Sequence, residues 1–305
     1  MDLDLVFLGT SASAPTAARA PMATLIRRGG ERLLFDCGEG TQRQLMRSSL
    51  GLPDLEEIFL THFHADHYLG LPGMLKTFGL RQRELPLTVY GPPGLRALFS
   101  ELRRVFGQVP YPLELVEVRP GEALERDGYR ILVIPVHHGV PAVGYALVED
   151  DRPGRFHPEK AAALGVEEGP MFGALQRGKP VTLPDGRVIR PEEVVDPPRP
   201  GRKVVVTGDT RPCPTTVEAA RGADLLVHES TFGDPEAERA LETDHSTARE
   251  AGRIAREAGV ARLVLTHLST RYDREPEALL AQAREEFGEV AVAHDGLTLD
   301  VPLAG

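Results

Sequence analysis

Short apolar, β-branched runs bounded by turn residues recur along the chain: Leu3 to Leu8, Ala23 to Arg27, Leu33 to Asp36, Glu57 to Thr61, Leu87 to Tyr90 and Tyr129 to Val136. Each predicts a strand. Apolar residues at helical spacing predict helices over Thr41 to Leu50, Gly94 to Phe106, Thr215 to Gly222, Ser246 to Ala258 and Glu275 to Phe287. Four further strand-like runs, Lys203 to Thr207, Asp224 to His228, Arg262 to Thr266 and Val290 to Ala293, alternate with the later helices, which is the pattern of a layered α/β protein. The segment Asp151 to Arg202 breaks this rhythm. It is rich in Pro, Gly and charge, carries only short apolar pieces, and reads as an arm inserted into a single domain spanning residues 1–305, or as a long surface excursion with no role. Its last part, Arg177 to Lys203, is mildly basic. The sequence shows no internal repeat.

Composition narrows the class. At 305 residues and 41% hydrophobic, the chain can bury a large core and is within reach of one double-layered domain. The opening Met1-Asp2-Leu3-Asp4 carries acid where a secretory signal needs base, and no apolar run approaches membrane-spanning length. Two distant cysteines, Cys37 and Cys213, suggest neither a disulfide framework nor a thiolate metal site, and a reducing cytoplasm is the expected compartment. The net charge of −10 argues against coating nucleic acid by global electrostatics, so any RNA contact must be local.

The chemistry concentrates in Thr61-His62-Phe63-His64-Ala65-Asp66-His67, which follows an apolar run. Four metal-binding side chains gathered at a strand end form a site rather than a core. Imidazole and carboxylate suit zinc, and alternation places His62 and His64 toward one ion while Asp66 and His67 reach a second. Later strands end in matching residues: His138, with His137 competing for the same place, then Asp209 and His267. With Asp209 bridging, His62, His64 and His138 would hold one zinc ion and Asp66, His67 and His267 the other, leaving open positions for water. Manganese or iron can occupy the same ligands.

The His-x-His-x-Asp-His loop with the later His, Asp and His resembles the metallo-β-lactamase superfamily along the whole chain. Finer marks resemble the ribonuclease Z family within it: Phe7-Leu8-Gly9-Thr10, Leu34-Phe35-Asp36-Cys37-Gly38-Glu39-Gly40-Thr41-Gln42, Leu69-Gly70-Leu71-Pro72-Gly73, His138-Gly139-Val140-Pro141 and Val227-His228-Glu229-Ser230-Thr231. The fourth favours His138 over His137. The resemblance implies a four-layered αββα fold with an inserted flexible arm, the exosite. It implies a cytoplasmic homodimer of the short form, two zinc ions per subunit, and removal of the 3′ trailer from precursor tRNA, leaving a 3′-hydroxyl on the tRNA.

It also implies roles. Asp66 would orient or deprotonate the metal-activated water. His245, in His245-Ser246-Thr247, would protonate the departing oxygen while Glu229 holds it. From the residues alone, Asp244 to Thr247 also reads as a cap for the following helix. Gly169-Pro170 matches the Gly-Pro element of the exosite, and Arg177, Lys179, Arg187 and Arg190 would meet phosphates of precursor tRNA. Two positions depart from the family pattern, Val143 where an aromatic is frequent and Ala146 where a basic residue often stands, and neither is an expected ligand. The rival reading is a small-molecule phosphodiesterase or other hydrolase of the same fold, which needs the metals but no basic arm. A di-iron oxygen-reducing protein would carry an acid at His64, and a scaffold without metals would lack some ligands.

Overall fold

The computed structural model describes residues 1–48, 50–52 and 55–303, and its chain divides into two compact units, residues 1–148 with 202–305, and residues 149–201. In the first unit two seven-stranded sheets carry the fold. One sheet runs, in spatial order, Thr298–Asp300, Leu3–Gly9, Ala23–Arg28, Glu31–Phe35, Glu57–Phe59, Leu87–Gly91 and Leu113–Glu117. The other runs Val290–Val292, Leu263–Thr266, Leu225–Glu229, Lys203–Val206, Val143–Glu149, Tyr129–Pro135 and Ala123–Arg126. Alternate residues of both sheets, among them Leu5, Phe7, Phe35, Phe59, Tyr129, Ile131, Tyr145, Val206 and Val227, fill one core between them.

The opposite faces are covered by helices. Gly70–Leu80 and Leu95–Phe106 pack on the first sheet through Leu71, Met74, Leu75, Phe78, Leu95 and Phe99. Pro214–Ala220, Ala248–Ala258 and Glu277–Arg284 cover the second through Ala220, Ala251, Ile254, Ala255 and Leu279. The result is the four-layered αββα fold, each sheet mixing parallel and antiparallel pairs and buried on both sides.

Every expected strand forms, with ends shifted by a residue or two. The expected helix Thr41 to Leu50 is helical over Thr41–Arg47, and its Ser49 lies outside the described residues. Helix Gly70–Leu80 was hidden by a turn-like Gly-Leu-Pro-Gly. Pro72 sits in its first turn, where no backbone N–H is needed, and Leu71, Met74, Leu75 and Phe78 then line one buried face. Strand Val143–Glu149 was hidden by Gly144, where a Cβ would stand 2.8 Å from the Ile134 side chain.

The second unit is better built than its composition suggested. Helices Pro158–Ala163 and Pro170–Gln176 and the hairpin Val181–Thr182 with Val188–Ile189 bury a small core of Ala161, Val166, Leu175, Val181, Leu183, Ile189 and Val194. Among the described residues no helix is long and apolar enough to cross a membrane.

Candidate metal centre and active site

The parallel strands Lys203–Val206, Leu225–Glu229 and Leu263–Thr266 end together, and the residues just past them join those past Glu57–Phe59 and Tyr129–Pro135. Strand ends are where backbone pairing stops and side chains are free to converge. His62, His64, His138 and Asp209 form one group and Asp66, His67 and His267 another, the donor atoms of each lying within 4.8 Å of one another. The Asp209 carboxylate reaches both, at 3.6 Å from His62, 3.4 Å from His67 and 3.3 Å from His267. Asp66 and His67, expected on a loop, instead stand on the short helix Ala65–Tyr68, whose first turn turns both toward His267. His137 stays exposed beside Asp244, 3.6 Å from its carboxylate, while His138 enters the cluster.

Three of the rings are aimed by a partner on the far edge. His67 Nδ1 meets the buried Asp36 carboxylate at 2.8 Å, His138 Nδ1 donates to the Asp244 carbonyl at 2.9 Å, and His267 Nδ1 pairs with the Thr231 hydroxyl at 2.8 Å. Asp36 also accepts from the Thr61 N–H at 2.8 Å and from the Thr61 hydroxyl, which fixes the start of the donor segment. Gly208, with φ of 63°, lies against Thr61 so closely that any Cβ would stand 2.7 Å from its side chain. The backbone is bent to the same purpose. Ser13, Asp36, Gln82, Asp244 and His267 are the non-glycine residues with positive φ among those described. All but Gln82 either belong to the donor cluster or hold a member of it, since the Ser13 N–H donates to Asp66 at 2.7 Å. Strain of this kind persists where surrounding contacts over-determine it.

The donor set fits divalent cations. His62 Nε2 and Asp209 Oδ1 are buried with no hydrogen-bond partner. Ring nitrogens face one another at 3.3 Å between His67 and His267 and at 3.2 Å between His138 and His64. Burial and the neighbouring imidazoles push His62 and His64 below the ordinary histidine range, the neutral state a ligand needs. Burial opposes charge on His67 too, but Asp209 and Asp36 pull it well above that range, so these carboxylates call for positive charge between them.

Beside the cluster stands His245. Its Nδ1 lies 2.8 Å from Glu229 Oε1, and Glu229, only 1% exposed, also accepts from the Thr210 N–H, the Thr231 N–H and the Thr231 hydroxyl. Burial would depress the imidazolium, but the Glu229 charge and hydrogen bond outweigh it and raise His245 to about 9. Its nitrogen nearest Asp209, at 3.9 Å, is the one Glu229 holds, which leaves Nε2 for another task. The helix cap expected within Asp244 to Thr247 is supplied by Thr247, which caps Ala248–Ala258 and forms a capping box with Glu250.

The remaining expected residues lie in the second unit. Gly169 precedes helix Pro170–Gln176 and Pro170 opens it. Arg177, Lys179, Arg187 and Arg190 are all exposed, Arg187 pairing with Asp185 at 2.7 Å. Sequence reasoning did not assign roles to Asp36, Thr231, Ser13 or Asp244. The only signal for Asp36 and Thr231 was their place inside the motifs Leu34 to Gln42 and Val227 to Thr231.

The Metallo-beta-lactamase superfamily profile matches residues 17–151 and the Beta-lactamase superfamily domain profile residues 193–268. The chain is 54% identical over 303 residues to ribonuclease Z of Myxococcus xanthus, covering 99% of this chain and 98% of that one. It is 53% identical over 307 residues to ribonuclease Z of Haloferax volcanii, covering 100% and 96%. The crystal structure of the short form of human tRNase Z superposes with a TM-score of 0.71 at 28% identity, over 98% of this chain and all of that one. With the donor cluster at the shared strand ends and full-length identity near one half, this chain belongs to the ribonuclease Z family of the metallo-β-lactamase superfamily.

Proposed function

We propose that the protein is a zinc-dependent endoribonuclease that removes the 3′ trailer from precursor tRNA and leaves a 3′-hydroxyl on the tRNA. The observation that carries this reading is His245, held by the buried Glu229 at the edge of a seven-residue donor cluster. Zinc held by His62, His64, His138 and Asp209, and by Asp66, His67, His267 and Asp209, would supply an activated water and neutralise charge on the phosphoryl oxygens. Asp66 orients that water. Burial works against its charge, but the His267 hydrogen bond and the charges of His67 and His267 hold its carboxyl below the usual range. Glu229 accepts from Nδ1 of His245, so the protonated ring presents its Nε2 proton to the 3′ oxygen as that oxygen leaves. The same carboxylate restrains the ring from turning.

The basic residues of the second unit supply the local RNA contact that a net charge of −10 requires. Replacing Arg177, Lys179, Arg187 and Arg190 together with alanine should raise KM for precursor tRNA and act little on kcat. Each lost phosphate contact should flatten the salt dependence of log KM by about 0.9 on duplex RNA-like backbone. Unchanged KM and salt slope would remove the arm from the proposal. The Asp36 contact to His67 is tested separately: Asp36→Asn should weaken zinc affinity by about 10- to 100-fold in a chelator competition. Equal affinity would make Asp36 a purely structural carboxylate.

The deciding assay is cleavage of an end-labelled precursor tRNA by protein of known zinc content. A single cut after the discriminator position, dependent on metal, supports the reading. Rapid hydrolysis of small phosphodiesters with no cut in tRNA would assign the site to a small-molecule phosphodiesterase instead.

A further inference from the structure

A groove lies between two segments whose preceding residues touch Asp66 of the donor cluster. Two contiguous cavities, of about 220 and 360 Å³, share Ala17, Ala18, Gln44, Arg47 and Asp295. The segment from Pro15 to Ala20 forms one wall and the helix Thr41–Arg47 the other. Each wall follows in the chain from a residue that touches Asp66. Ser13, two residues before Pro15, donates its N–H to the Asp66 carboxylate at 2.7 Å, and Gly38, just before Glu39, packs on the Asp66 carbonyl where no side chain would fit. Asp295 ties the walls together, accepting from the Ala20 N–H at 2.7 Å, Thr10 Oγ1 at 2.8 Å and Gln44 Nε2 at 2.5 Å.

Two cations in this groove have no structural use. Arg19 is buried and committed, donating to Thr10 and to the Ala293 carbonyl. Arg43 and Arg47, one turn apart on the same face of their helix, are exposed and make no hydrogen bond or ion pair among the described residues. With Arg19 they outnumber the two acids of the lining, Glu39 and Asp295. The rest of the lining is mostly small or neutral, and no aromatic side chain is there to stack a base. Such a surface reads backbone charge and is blind to sequence.

We infer that this groove takes the single-stranded trailer on the 3′ side of the scissile bond, with Arg43 and Arg47 neutralising its phosphates. The inference rests on the nuclease reading above and refines it: the discarded strand is gripped by charge alone, which accepts trailers of any sequence.

The test compares precursor tRNAs carrying a long trailer and a trailer of one nucleotide, using wild type, the Arg43→Ala/Arg47→Ala variant and the Arg43→Lys/Arg47→Lys variant. On the long trailer, kcat/KM of the alanine variant should fall by about tenfold or more, as expected for losing charge-assisted contacts. The slope of log kcat/KM against log salt should lose about 0.7 per arginine, the single-strand value. The lysine variant should recover most of the loss, and the ratio of wild type to alanine variant should shrink as the trailer shortens. Equal loss on both trailers would assign the arginines to the tRNA body or to the fold, and no loss on either would leave the groove without RNA; both outcomes overturn the inference. Failure of wild type to cut either precursor would instead refute the nuclease reading itself. Thermal unfolding of all three proteins, expected to coincide because both side chains are exposed, keeps misfolding from passing as lost binding.

Discussion

Replacing His245 with alanine should lower kcat for precursor tRNA by about 10²- to 10⁴-fold, the usual contribution of a positioned proton donor, and leave the bound metal unchanged. The oxygen that leaves in this reaction is an alkoxide unless it is protonated as the bond breaks. Glu229 takes Nδ1 of His245 at 2.8 Å, so in the protonated ring Nε2 carries the proton that can be given away. A purely structural histidine would predict something else: the buried Glu229 would lose one of its partners, the fold would weaken, and every substrate would suffer alike. The design separates these cases. Glu229 keeps three other donors, from Thr210 and Thr231, so the variant should remain folded, with a loss of about 1.5–3 kcal/mol from one charged hydrogen bond. On bis(p-nitrophenyl) phosphate, whose nitrophenolate departs without a proton, the variant should recover most of its rate. Equal losses on both substrates would sink the proton-donor role, and a fall in metal content would make His245 a ligand.

Much of this site was legible in the chain because its physics is local. A strand must end somewhere, and a histidine or aspartate immediately after an apolar run lands at a sheet edge with its side chain free, as His62, His138, Asp209 and His267 do. What could not be read is what aims them. Asp36 lies 31 positions before His67, and the Asp244 carbonyl lies 106 positions after His138. These contacts depend on left-handed backbone at Asp36 and Asp244, which residue type alone does not announce. The missed strands have related causes. Leu113–Glu117 and Ala123–Arg126 are edge strands that alternate charge with partly exposed apolar residues, so their period is present but weak. The inserted segment was read by composition, and composition hides a core as small as the one around Leu175, Leu183 and Ile189. A few apolar residues spaced along a Pro- and Gly-rich stretch look like a loop until the turns bring them together.

Removing the metal should abolish cleavage and lower thermal stability together, and Asp209→Ala should reproduce both effects without a chelator. The reasoning starts from what the cluster lacks by itself. His62 Nε2 and Asp209 Oδ1 are buried and make no hydrogen bond among the described residues, and each such group costs about 1–3 kcal/mol. The pairs His67 with His267 and His64 with His138 bring two ring nitrogens to 3.3 and 3.2 Å, where at least one must be protonated to bond the other. Cations would satisfy all of these atoms at once, and an ion that binds only the folded state at a thousand times its Kd adds about 4.1 kcal/mol. Asp209 is the substitution to choose because its carboxylate joins both groups, at 3.6 Å from His62 and 3.3 Å from His267. Its loss should therefore empty both positions, whereas loss of His64, at the half-exposed edge, should deplete chiefly one. Elemental analysis should find about two ions in the wild type and far fewer in Asp209→Ala, with zinc restoring cleavage to the chelated wild type only. If the chelated protein melts at the same temperature and still cuts RNA, the cluster is not a metal centre, and the strain gathered at Ser13, Asp36, Asp244 and His267 would need another cause.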